Sequence, residues 1–203
     1  MKKLLWIAVL ALALPTAVFA GSNVDYTNSG GTLTGTSSGM TLSGSVLVAV
    51  NGLNGGGLIT GSNLGSVSFS TGALSSGSLQ MGGTFAAGGW FTITGNGTDG
   101  LPNGTIFSGT FSGPVTWTMV TLANGTHNYT LTGALSGTTA SGASVYGVTV
   151  QLTVNTGKGF FNGSTRISSG DTNISSVPEP GSLTLMGTGL LGVAGMIRRK
   201  LKV

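Results

Sequence analysis

Through the middle of this chain apolar residues alternate with threonine or serine, and the runs are cut every few residues by glycine. Val115-Thr-Trp-Thr-Met119, Tyr129-Thr-Leu-Thr132 and Val148-Thr-Val-Gln-Leu-Thr-Val154 show the pattern. A period of two puts the apolar side chains on one face of an extended strand and the hydroxyls on the other, so each run is a strand with one buried and one wet face. Glycine, at 38 of 203 positions, works against helix, where it costs roughly 1 kcal/mol relative to alanine. The pattern predicts an all-β chain of short strands, with helix confined to its two ends.

Several strands can be placed. Gly31-Thr-Leu-Thr-Gly35, Met40-Thr-Leu-Ser-Gly44 and Ser68-Phe-Ser-Thr-Gly72 carry the pattern in the first third without a fixed repeat length. Ser45 to Val50, closed by Asn51-Gly52, reads as a buried strand. Trp90 to Thr94 and Thr105 to Phe111 follow. Asn124-Gly125 lies between two alternating runs, the strongest short-range hairpin signal, and pairs Val115 to Leu122 with His127 to Leu135. From Tyr146 to Val154 the alternation puts Tyr146, Val148, Val150, Leu152 and Val154 on the core face. This spacing suits a sandwich or a barrel. The moderate, mixed size of the inward residues favours an antiparallel β-sandwich, with a β-roll or β-helix as the alternative for the first third.

The two ends differ from the middle. Lys2 and Lys3, the apolar run Leu4 to Leu14, and Val18-Phe19-Ala20 have the three parts of a secretory signal, with cleavage between Ala20 and Gly21. The run is too short to span a bilayer, which takes about 20 apolar residues. At the other end Val177-Pro178-Glu179-Pro180 precedes Gly181 to Ile197, a stretch without charge, and then Arg198, Arg199 and Lys200. As a helix, Gly181 to Ile197 would be roughly 26 Å long, a marginal membrane span. Its basic flank stays in the cytoplasm and places the bulk of the chain outside. Pro178 and Pro180 bias Val177 and Glu179 towards extended geometry, which suits the motif for the cleft of a processing enzyme. The chain therefore divides into a signal peptide (1–20), a passenger (21–176) and a tail (177–203) comprising motif (177–180), membrane helix (181–197) and basic end (198–203).

The tail resembles the PEP-CTERM sorting signal of Gram-negative bacteria, through Val177, Pro178, Glu179 and Pro180, the apolar stretch after them, and Arg198 to Lys200. The resemblance implies export by the secretion machinery and signal peptidase, then an intermediate anchored in the inner membrane. Recognition and removal of the tail by exosortase, a membrane enzyme, would follow, with delivery to the outer surface or the extracellular space. It also implies a link to exopolysaccharide and biofilm. It covers about an eighth of the chain and leaves the passenger open.

Charge and chemistry narrow the passenger's work. Most basic residues sit in the two ends; between Gly21 and Ser176 only Lys158 and Arg166 face Asp25, Asp99 and Asp171, a formal charge of −1. Such a surface cannot neutralise a run of phosphates, so no nucleic-acid partner is expected. No cysteine, one histidine (His127) and three scattered acids give little material for catalysis, and no cofactor, metal site or enzymatic activity is expected. A glycosidase would need two acids facing across a cleft, which here means Asp99 and Asp171. His127 reads as an exposed hairpin residue. The Asn-x-Ser/Thr triplets at Asn96, Asn103, Asn124, Asn128, Asn162 and Asn173 follow from composition. The expectation is a non-catalytic surface or matrix protein, with a carbohydrate-binding module as the alternative. Aromatic rings would carry the latter if they lined one exposed face; Trp90 is the least constrained of them. Trp117 and Tyr146 read as core. Lys158, between glycines and beside Phe160 and Phe161, is the second candidate contact.

Overall fold

The computed structural model describes residues 23–175, together with Gly187 and Gly189 beyond them. The expected signal peptide and sorting tail lie outside the described residues apart from those two glycines. Among the described residues no helix is long and apolar enough to cross a membrane.

The alternating runs are strands, and the described residues hold thirteen strands in one sheet. The first third holds β1 (Asn23–Ser29), β2 (Thr32–Thr36), β3 (Gly39–Asn51) and β4 (Ile59–Ser70), with a short 3-10 turn at Leu53–Gly55. Then come β5 (Leu74–Ser78), β6 (Gly82–Phe85), β7 (Gly88–Asn96) and β8 (Asn103–Phe111). The last part holds β9 (Val115–Thr121), β10 (His127–Thr139), β11 (Ser144–Asn155), β12 (Ser164–Arg166) and β13 (Ser169–Ser175). The expected hairpin is present as β9 and β10, from His127 opposite Thr121 to Thr132 opposite Thr116. Its turn is held by the Asn124 side chain, whose Oδ1 accepts from the backbone N–H and the hydroxyl of Thr126. Asn96 does the same for Thr98 after β7. Two of the Asn-x-Thr triplets are thus turn devices.

The sheet is a barrel, not the sandwich expected, and no pairing in the first third is the parallel stacking of a β-helix. Eight strands close in the order β1, β3, β4, β7, β8, β10, β11, β13 and back to β1, all neighbours antiparallel. Closure comes from pairing β1 with β13, the two ends of the passenger. A sandwich keeps free edges on both sheets; here the first and last strands meet and close the wall, leaving edges, among the described residues, only on the added strands β5 and β12. The interior is apolar, with Phe69, Phe91, Phe107 and Phe111 in mutual ring contact at centroid separations of 5.8–6.3 Å. Ser, Thr and Asn line the outer wall, the reverse of a lipid-facing barrel.

Two strands are longer than the wall they serve. The second half of β3 pairs β1 while its first half pairs β2, which carries β12. The second half of β10 pairs β8 while its first half pairs β9, which carries β6 and β5. The extra strands wrap a second part of the core at the end away from Asn23 and Ser175. There Trp117 stacks on Tyr129 (4.9 Å) and meets the edge of Phe161 (5.4 Å). Trp117 Nε1 donates to the carbonyl of Leu79, and Tyr129 OH donates to that of Gln80. Gly35 leaves room for this cluster, since a methyl there would come within 3.0 Å of the Phe161 ring.

Candidate functional site

The sorting motif Val177, Pro178, Glu179 and Pro180, the basic residues Arg198, Arg199 and Lys200, and the cleavage point Ala20 and Gly21 all lie outside the described residues. The strands nearest to them in sequence are described. β1 begins at Asn23 and β13 ends at Ser175, and these two residues are opposite each other. The Ser175 hydroxyl lies 3.2 Å from Asn23 Oδ1. One residue, Ser176, separates β13 from the motif.

The aromatic residues divide differently from the expectation. Trp117 is in the core as expected, but Tyr146 is 59% exposed. Leu135 faces Val148 and the next residue, Ser136, faces Tyr146, so Gly147 is skipped in a bulge at φ +69°. The skipped residue reverses the side of the strand on which Tyr146 falls, and Val145 is buried in its place. Trp90, 46% exposed, also faces outward. Trp90 lies opposite Ser70 of β4, whereas Tyr146 lies opposite Ser136 of β10. Three strand steps round the wall, β7 to β8 to β10 to β11, part them.

Lys158 is exposed in the connection from β11 to β12. Of the two phenylalanines beside it, Phe161 is buried and Phe160 is 46% exposed. Phe160 lies flat on the His127 ring, with centroids 4.4 Å apart. That contact, together with backbone bonds between His127 and the Thr156–Gly157 segment, buries the histidine that hairpin position alone would expose. His127 Nδ1 lies 3.0 Å from the Thr121 hydroxyl.

The acids and the histidine are dispersed. Asp99 is in the turn between β7 and β8, at the end of the barrel where the chain enters and leaves, whereas His127 opens β10 at the far end. The length of β10 between those ends is about 40 Å. Asp171 neighbours Asp25 diagonally, since Thr27 faces Asp171 and Asp25 faces Asn173. Burial raises the Asp25 carboxyl above its ordinary value, the Asp171 charge raises it further, and the Tyr26 backbone hydrogen bond opposes both.

Beside Asp171 the outer wall has a groove of about 480 Å³ that the sequence does not announce. Thr116, Thr132, Gln151 and Asp171 face one another in a row across β9, β10, β11 and β13, with Ala134, Thr149 and Asn173 in the next row. The groove forms where β10 leaves β9 and joins β8. Gly133 and Ala134 leave its floor low, and Pro114 stands at one side. The lining mixes hydroxyls, amides and one carboxylate with the apolar surface of Pro114, Ala134 and Val150; neither Lys158 nor Arg166 lines it. Such a surface can exchange hydrogen bonds with a polyhydroxylated ligand. Only the register of four strands could have revealed it.

Residues 23–175 thus form a closed β-barrel with a polar wall, its first and last strands paired side by side. Residues 176–200 match the family model of the PEP-CTERM protein-sorting motif. The chain carries the motif of exosortase substrates, which marks it for export and for sorting through a membrane-anchored intermediate. No curated protein and no solved structure matches the chain.

Proposed function

We propose that the passenger is a non-catalytic surface or matrix protein, released from the signal peptide after Ala20 and from its tail by exosortase, and linked to exopolysaccharide and biofilm. The observation that carries the sorting part is the PEP-CTERM motif at residues 176–200. The dispersal of Asp99, His127 and Asp171 supports a role without catalysis, because acid–base chemistry needs such groups within hydrogen-bond reach of one substrate. Expressed with an exosortase, the full chain is expected to lose the mass of the tail, and the double substitution Pro178→Ala, Glu179→Ala to abolish that loss. Unchanged processing of the variant would refute the motif's role.

The groove favours a second reading, a carbohydrate-binding module. In it the ligand is held by Gln151, Asp171 and the threonine hydroxyls, while Trp90 and Lys158 are separate contacts on the wall and at the far end. Titration of the folded chain with neutral and acidic oligosaccharides tests it.

A further inference from the structure

The last strand of the barrel and the sorting motif are almost contiguous, and this has a mechanical consequence for processing. We propose that β13 is a latch on the motif: exosortase gains full access to Val177–Pro180 only when Ile174 and Ser175 leave β1. The proposal rests on the sorting reading above and adds a control that the motif alone does not supply.

An enzyme that grips an extended peptide pairs with several consecutive backbone groups, as strand-addition recognition does. Ser176 alone separates β13 from Val177, and one extended residue spans only about 3.5 Å. The backbone before Ser176 is already committed. From Ser169 to Asn173 the strand is paired on both sides, with β1 and with β11. Ile174 and Ser175 are held on one side only, opposite Val24 and Asn23.

The latch has a defined length and a defined hold. Ile174 is 5% exposed and belongs to the core, so releasing it returns an apolar side chain to water. Ser175 adds its hydroxyl contacts to Asn23 Oδ1 and Asn173 Oδ1, each 3.2 Å. One step further in, Thr172 is wholly buried and β11 begins to hold the strand. Opening therefore stops naturally after two residues and frees Ile174 and Ser175 ahead of the motif. When such opening is fast compared with cleavage, the cleavage rate follows the population of the open form.

The test uses the full chain, which contains no cysteine. In the double variant Asn23→Cys, Ser175→Cys the new thiols replace side chains already in contact, at a facing strand pair whose spacing suits a disulfide. Loss of tail mass is followed over time with exosortase in membrane vesicles, with the variant oxidised and then reduced, beside wild type and a chain with six Gly/Ser residues inserted after Ser176. The oxidised variant is expected to be cut at least about tenfold more slowly than wild type and to recover on reduction. The spacer chain is expected to be cut roughly tenfold faster, the population factor that goes with no longer having to expose one isoleucine. Equal rates for oxidised, reduced, wild-type and spacer chains would overturn the latch. Placing Pro178→Ala, Glu179→Ala in the spacer chain separates the two ideas: loss of cutting there upholds the motif whatever the latch variants do, and continued cutting removes the sorting reading and the latch together.

Discussion

Tyr129→Phe removes one oxygen that joins three segments of chain. Tyr129 is on β10 and wholly buried; its hydroxyl donates to the carbonyl of Gln80 at 2.7 Å and accepts from the backbone N–H of Phe161 at 3.0 Å. Gln80 lies in the turn between β5 and β6, and Phe161 in the connection between β11 and β12. Phenylalanine keeps the ring and its stack on Trp117, so the apolar area is nearly unchanged. What is lost is the pairing of two backbone groups. Phe161 is 1% exposed, and a buried donor left without a partner costs about 1–3 kcal/mol. Gln80 is exposed and water can serve its carbonyl, so that side loses only the net value of a hydrogen bond, about 1 kcal/mol. The sum, about 2–4 kcal/mol, is a large share of the stability of a single domain and corresponds to a Tm lowered by about 5–15 °C at this size. Urea unfolding of residues 21–176, which contain the whole closed core, measures it. Tyr146→Phe is the control, since it removes the same atom from an exposed side chain. Equal urea midpoints for the two variants would refute the reasoning, because the hydroxyl would then carry no tertiary load.

Two further outcomes follow from the wall. Because burial first and Asp171 second raise the Asp25 carboxyl, its ionised form costs the folded state stability at neutral pH, and the cost vanishes as the pH falls below the unfolded value. Asp25→Asn is expected to raise Tm at pH 7 and to leave it unchanged near pH 3; a lowered Tm at pH 7 would count against it. In the carbohydrate reading, Gln151→Ala and Asp171→Ala each weaken oligosaccharide binding by about tenfold, the value of one or two hydrogen bonds to a polar ligand. Trp90→Ala on a different part of the wall weakens it less, and binding unaltered in both groove variants would exclude the groove.

What the sequence discloses is what is local. The β9–β10 hairpin follows from Asn124-Gly125 between two alternating runs, and Trp117 falls on the predicted face because no irregularity intervenes. Tyr146 fails by one residue: Gly147 is an ordinary member of the alternation on paper and an extra residue in the ladder. His127 fails through Phe160, more than thirty positions away, which covers it. Barrel and sandwich share the same strands and turns; they part over whether β1 meets β13, a pairing between opposite ends of the passenger that no window of sequence contains. The groove needs four strands in register plus the small residues Gly133 and Ala134, so it too is invisible until the strands are ordered. The tail is the opposite case, since motif, apolar stretch and basic end are read in order along the chain without any folding at all.

The open sides of the sheet bear on how copies of this chain meet. A chain this rich in serine, threonine, glycine and valine, with so little charge, has the composition of something that would stack with its own copies wherever strands lay bare. The described sheet ends at β5, whose sequence is Leu-Ser-Ser-Gly-Ser, and at the three residues of β12. Both are short and polar, poor templates for a neighbour's backbone. Copies of this chain that meet can thereby stay separate bodies, kept apart by short edges where charge is scarce.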